Sequence, residues 1–233
     1  GDLEKAKRLV RCAADAGAAV VKFQYWSSAD RMAVRRKAPE YRDVYAKHST
    51  PRGWLHILRA EAVDNEIGFA CSTYLPEDVW AVAEHCDILK VASFEAHDGS
   101  FIQLHKALAE MGKTVIVSLG MGAPDPFAHT GNATMLRLHC VSSYPAPFDQ
   151  LSLRQIRSRG LDGFSDHSPS DCEITGALAV AAGARVIERH LRLDDTSTSN
   201  PDYHHAMPPL AFSSYVGACQ DAARAMGENY SGM

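Results

Sequence analysis

The sequence predicts an α/β fold, a TIM (β/α)8-type barrel whose first strand lies upstream of Gly1. Three observations predict it. Seven short apolar runs alternate with helix-length segments along the 233 residues, and strands that alternate with helices build a parallel sheet. Each run finishes in polar or ionisable side chains, which a barrel gathers into one ring around one pocket. No G-x-G-x-x-G follows the first run, whereas a doubly wound sheet draws its site to a single switch point. The chain opens on a helix, so the eighth strand is expected before it, and 1–233 reads as one barrel domain.

The elements follow in order. Asp2 can cap a helix over 3–16, with Leu3, Ala6, Leu9, Val10 and Ala13 on one stripe and Gly17 ending it. AAVVKF (18–23) is the first apolar run, suited to a strand covered on both faces. The stretch 25–50 is long for a barrel connection and is expected to be a loop over the C-terminal face, a lid candidate. Residues 51–64 read as a helix, IGFACS (67–72) as a strand, and PEDVWAVAEHC (76–86) as a helix opened by Pro76. DILKVAS (87–93), KTVIVS (113–118), TMLRLHCVSS (134–143), GFSDH (163–167) and RVIERHL (185–191) read as strands. Helices are expected over 100–112, 152–159, 174–184 and 208–227. The stretch 119–133 carries too many Gly and Pro for a helix and is expected to be a turn.

Composition excludes several classes. Net charge is −4, with 24 basic and 28 acidic residues and no long basic run, so no nucleic-acid partner is indicated. The six cysteines form no C-x-x-C pair and read as small buried groups in a reducing cytosol. No signal peptide and no membrane-length apolar run are present, so the expected location is cytoplasmic.

The run ends carry the chemistry. Lys22 and Lys90 lie in apolar strands, where an ammonium is costly unless it meets an anion. Ser93, Ser118, Ser142 and Ser165 add hydroxyl donors around the same ring, a set suited to phosphate or a phosphorylated carboxylate. The plain alternative is that each lysine reaches solvent. His167 and His190 end adjacent strands and could hold a divalent ion such as Mn, Fe or Zn, with Asp166 and Glu188 as ligands or supporting acceptors. Glu188 lies two residues before His190, so both face the barrel interior.

KFQ (22–24), CSTY (71–74), KVASFE (90–95), VSLGM (117–121), HCVSSYPAP (139–147), GFSDHS (163–168), VIERHLRLDD (186–195) and PDYHHAMPP (201–209) occur in this order. Together they resemble the N-acetylneuraminate (sialic acid) synthase family, including its spore-coat polysaccharide members. The resemblance implies condensation of phosphoenolpyruvate with an open-chain N-acetylmannosamine-type aldose, releasing phosphate, in surface carbohydrate biosynthesis. It implies His167 and His190 as ligands of Mn²⁺, with Mg²⁺ or Co²⁺ as alternatives. Lys22, Lys90, Ser93, Ser118 and Ser165 match positions for phosphoenolpyruvate. Gln24, Tyr144 and Asp202 match sugar contacts, and Glu188 matches a pocket carboxylate suited to proton transfer. A homodimer is the assembly the resemblance implies.

Several positions depart from the family pattern. The expected upstream strand, ending in glutamate and an Asn-His-x-Gly turn, does not occur, and Gly1 matches the last residue of that turn. The small C-terminal antifreeze-like domain of many members is also absent. Tyr203 replaces an expected His, Phe94 an expected small residue, and Ser142 the Asn of some members. These departures cluster around the acceptor and leave the phosphate half intact. Two other readings stand beside the synthase: a barrel that binds a phosphorylated ligand without turnover, and a metal-dependent sugar-phosphate lyase or isomerase.

Overall fold

The apolar runs pair in chain order, each with the next. The computed structural model describes residues 1–126 and 134–227. Within them, β1 (Val20–Tyr25), β2 (Gly68–Thr73), β3 (Ile88–Val91), β4 (Thr114–Ser118), β5 (Met135–Cys140), β6 (Gly163–Asp166) and β7 (Val186–Arg189) form one sheet in that order. Every pairing is parallel. The register puts Gln24 beside Ser72, Ser72 beside Lys90, and Ser165 beside Glu188, so the polar ends share a level. Among the described residues no eighth strand joins β1 to β7. The sheet nevertheless curls into a half-barrel far enough for Lys22 of β1 to reach Glu188 of β7 at 3.3 Å.

Helices cover the outside. They are α1 (Leu3–Asp15), α2 (Ala29–Arg36), α3 (Arg42–His48), α4 (Trp54–Asp64), α5 (Val79–Ala83), α6 (Gly99–Glu110), α7 (Arg154–Ser158), α8 (Thr175–Ala181) and α9 (Pro209–Ala225). Asp2 caps α1, accepting from the Glu4 and Lys5 amides at 3.0 and 3.2 Å, and the helix buries Ala6, Val10 and Ala13. Those residues join Leu55, Leu58 and Ala62 of α4 over Val21, Phe69 and Cys71 of the sheet. A second core packs Phe101, Ile102 and Leu108 of α6 onto Leu89, Val91, Val115 and Val117. Gly176 lets α8 approach α9, because a Cβ there would collide with Tyr215 and Cys219.

The stretch 25–50 is not the loop its sequence suggests. It holds α2, a 3-10 turn over Pro39–Tyr41, and α3. Ser28 caps α2, and Lys37 ends it in the left-handed region at φ 53°. Arg36 then anchors α2 to the end of β3, donating to Glu95 at 3.0 Å and lying over the Phe94 ring at 4.5 Å. Glu95 is fully buried; burial raises its carboxyl to about 7 against the pull of Arg36 and Arg35. The segment is thus fastened over the rim. The expected helix over 76–86 is shorter, a 3-10 turn (Pro76–Asp78) followed by α5. The turn expected over 119–133 is non-helical through Pro126, and 127–133 lie outside the described residues.

One buried histidine sets an acid limit on stability. His105 of α6 is fully buried, with Nδ1 2.9 Å from the Phe101 carbonyl and Nε2 3.1 Å from Thr73 Oγ1. The carbonyl can only accept, so Nδ1 donates and Nε2 takes the threonine hydroxyl. Burial pushes this imidazole down to about 4 from an ordinary 6.5. The unfolded chain therefore takes up a proton that the fold refuses, and the contribution is lost as pH falls from 6.5 toward 4. The full loss is on the order of 3 kcal/mol. Urea unfolding of His105→Gln is expected to show lower stability at neutral pH and a shallower decline toward pH ~5 than the parent. Parallel declines would contradict this assignment.

Candidate active site

One half of the rim is a charge cluster from three strands. Glu188 sits between the two lysines, 3.3 Å from Lys22 Nζ through Oε1 and 3.3 Å from Lys90 Nζ through Oε2. Ser165 donates to the same carboxylate at 2.6 Å. Lys22 also donates to Ser72 at 3.1 Å, and Lys90 to Ser118 at 2.7 Å. Burial pushes the Glu188 carboxyl upward, but Lys90, Lys22 and Ser165 outweigh it and hold it well below the usual range. Burial lowers Lys90, and Glu188 opposes that. Neither lysine simply reaches solvent. Two ammoniums against one carboxylate leave one positive charge among hydroxyls.

Beside this cluster, Ser93 donates to Cys140 Sγ at 3.3 Å and accepts from the Gly120 amide at 3.2 Å. Ser142 Oγ lies 3.8 Å from the same sulfur. A Cβ at Gly120 would fall 2.3 Å from Ser142 Oγ and 2.7 Å from Ser93 Oγ, so only glycine leaves both hydroxyls clear. The predicted hydroxyl ring is therefore brought together by β3, β4, β5 and β6 and the turns after them.

The second half of the rim is a group of imidazoles. The His167 and His190 rings lie 5.4 Å apart between centroids. His167 Nδ1 lies 3.1 Å from the Val141 carbonyl, so it donates there and leaves Nε2 bare. Burial, then the nearby His190, lowers His167 to about 3, so the ring is neutral. His190 Nδ1 lies 3.1 Å from Asp202 Oδ2, which places the predicted sugar contact against the predicted metal ligand. Tyr144 covers His167 with ring centroids 4.3 Å apart. Gln24, Lys22, Lys90, Glu188, His190 and Asp202 line one cavity.

Sequence reasoning missed His205. Its ring is 4.7 Å from that of His190, 6.0 Å from that of His167 and 5.2 Å from that of Tyr144. The signal was there, a histidine three residues after Asp202 and just before apolar Ala206 and Met207. Asp166 is placed neither as a ligand nor as an acceptor for a histidine ring; it is turned away and supports the strand end that carries His167. It is fully buried, paired with Arg189 at 3.0 Å, and accepts from Tyr215 at 2.7 Å and the Ser168 amide at 2.9 Å. It fastens the end of β6 to β7 and α9.

The NeuB family model matches residues 9–231. The chain belongs to the NeuB family. Pseudaminic acid synthase of Campylobacter jejuni is 30% identical, over 98% of this chain and 72% of that protein. Human N-acetylneuraminate-9-phosphate synthase is 29% identical over 97% and 68%. Spore coat polysaccharide biosynthesis protein SpsE of Bacillus subtilis is 30% identical over 90% and 61%. Among solved structures, the sialic acid synthetase of Leptospira borgpetersenii superposes with a TM-score of 0.84 at 26% identity, covering 99% of this chain and 82% of that one. A truncated 3-deoxy-D-arabino-heptulosonate 7-phosphate synthase from Thermotoga maritima reaches 0.74 at 14% identity, a likeness of fold. In this NeuB chain no helix among the described residues is long and apolar enough to cross a membrane.

The charge cluster gives a direct test. Glu188→Gln leaves Lys22 and Lys90 facing each other with no counter-ion, an imbalance expected to cost about 3 kcal/mol at neutral pH. Inorganic phosphate should restore part of that loss by taking the carboxylate's place. Urea unfolding with and without phosphate measures both effects. A variant as stable as the parent, indifferent to phosphate, would refute the counter-ion role.

Proposed function

We propose that this NeuB-family chain condenses phosphoenolpyruvate with an open-chain N-acetylmannosamine-type aldose to give a sialic-acid-like nonulosonate and phosphate. The observation that carries the reading is the uncompensated positive charge of Lys22, Lys90 and Glu188, beside a hydroxyl ring and next to an imidazole cluster. The relatives, synthases of pseudaminic acid and of N-acetylneuraminate 9-phosphate, support the same class.

Each half of the rim has its task. Lys22 and Lys90 hold the phosphate and carboxylate of phosphoenolpyruvate, with Ser93, Ser118, Ser142 and Ser165 donating around them. Gln24, Tyr144 and Asp202 face the aldose. The donor chemistry fits a divalent ion such as Mn²⁺: His167 is neutral with Nε2 free, and His190 is oriented by Asp202. His167 and His190 would hold such an ion, which would supply Lewis-acid polarisation of the aldehyde oxygen.

The bonds change as follows. C3 of the enol attacks the aldehyde carbon, and the carbonyl electron pair goes to oxygen, which takes a proton. Positive charge develops at C2, where water adds its oxygen and loses a proton. The C2–O bond to phosphorus then breaks, phosphate leaves with the electron pair, and the C2 hydroxyl gives up its proton to form the ketone. Clamping the anion beside the aldehyde supplies proximity. Glu188 in its present pairing is a counter-ion first. It gains proton affinity only when a lysine turns to the substrate, which ties its proton-transfer role to occupancy.

Phosphate release from phosphoenolpyruvate is the test. Release is expected only with both Mn²⁺ and an aldose. Lys90→Met is expected to lower it by at least about 100-fold, and His167→Ala and His190→Ala each to lose Mn²⁺. Release without aldose, or none with any N-acylated or plain hexose, would sink the synthase reading. Retention of phosphoenolpyruvate without turnover would favour a binding barrel instead.

A further inference from the structure

We infer that His205 is a third imidazole ligand for a divalent cation, closing a site with His190, Asp202 and the facing His167. The inference rests on reading the rim as a metal-dependent site and adds a ligand to it. His205 is 1% exposed, and neither of its ring nitrogens has a hydrogen-bond partner. A buried polar atom left unpaired costs about 1–3 kcal/mol, so a ring with two such atoms needs a reason. The nearest acceptor, Asp202 Oδ1, lies 3.7 Å from Nε2, too far for a hydrogen bond. The neighbours are not a greasy core that would welcome the ring as filler: they are His190, His167, Tyr144 and Asp202. One ligand atom each from His190, Asp202 and His205 falls within 4.8 Å of the others. A cation between them would satisfy the orphaned nitrogen and the carboxylate together.

The backbone holds the ring there. The amides of His205 and Ala206 both donate to the Asp202 carbonyl, at 3.1 and 2.8 Å. The Met207 amide donates to the His190 carbonyl at 2.8 Å, and the Ser170 amide to the His204 carbonyl at 2.9 Å. The turn bearing Asp202 and His205 is thus tied to the ends of β6 and β7, where the other two histidines project. A third nitrogen also changes which ion is preferred. Imidazole suits Co²⁺, Zn²⁺ and Fe²⁺ more than Mg²⁺, which keeps oxygen ligands and water.

The chelator-treated chain should be titrated with MnCl₂, CoCl₂ and MgCl₂ by calorimetry, with the visible Co²⁺ spectrum as a second readout. His205→Ala is expected to weaken Co²⁺ binding by at least about tenfold, to weaken Mg²⁺ binding less, and to alter the Co²⁺ band. Added imidazole should restore the band. His205→Asn, which keeps a polar group in the buried site, is the companion variant should alanine fail to fold. Unchanged affinities within about twofold and an unchanged Co²⁺ spectrum in a folded variant would overturn this inference alone. A parent chain that binds neither Mn²⁺ nor Co²⁺ would overturn the metal-dependent reading with it.

Discussion

A buried lysine and a half-buried one share the inside of one curved sheet, and a carboxylate lies between them. That pairing organises the rim. Glu188 joins it from β7, while Lys22 comes from β1 and Lys90 from β3. β7 lies at the opposite edge of the sheet from β1 and β3, so the contact exists only if the sheet curls. No ladder joins β1 to β7 among the described residues, yet the pair Lys22–Glu188 spans that side at 3.3 Å. Electrostatic pairing there does part of what backbone hydrogen bonds do elsewhere. The same pairing stores the site's affinity for anions, because the trio keeps a net positive charge in a place water reaches poorly.

The neighbouring strand end is fixed by a different device. Asp166 accepts from Arg189, Tyr215 and the Ser168 amide, so the chain on either side of it has little freedom. His167 follows directly. A buried, fully paired carboxylate thus acts at one remove, holding the backbone from which the imidazole projects. The two acidic residues at these strand ends divide their labour by facing. Glu188 points inward to cations that bind, and Asp166 points outward to groups that only hold.

Much of this could be read in the sequence, because the signals were local. Alternation of apolar runs with helix-length segments found all seven strands, and the polar residue at each run's end marked the C-terminal face. Lys22, Lys90, Glu188 and the serines do converge, because period-two alternation and parallel register follow from the same run boundaries. What escaped depends on distant contacts. The 25–50 stretch holds two short helices, α2 and α3. Its helices are held by Arg36 reaching Glu95 and Phe94, partners that become neighbours only once the sheet forms. For His205 the local signal, a histidine just after Asp202 and before Ala206 and Met207, was present, but its place beside His167 and His190 depends on distant contacts. The pairing of His190 with Asp202 was equally hidden, since the two match the family pattern in different roles.

The two histidines of the rim are oriented by unlike partners. His167 donates to the main-chain carbonyl of Val141, whereas His190 is held by the side chain of Asp202. Every amino acid carries that carbonyl, so no point mutation at 141 deletes the first contact. The second can be erased by one codon change. One imidazole is therefore robust by inheritance, and the other is open to drift, with its geometry free to be retuned as the acceptor changes across generations.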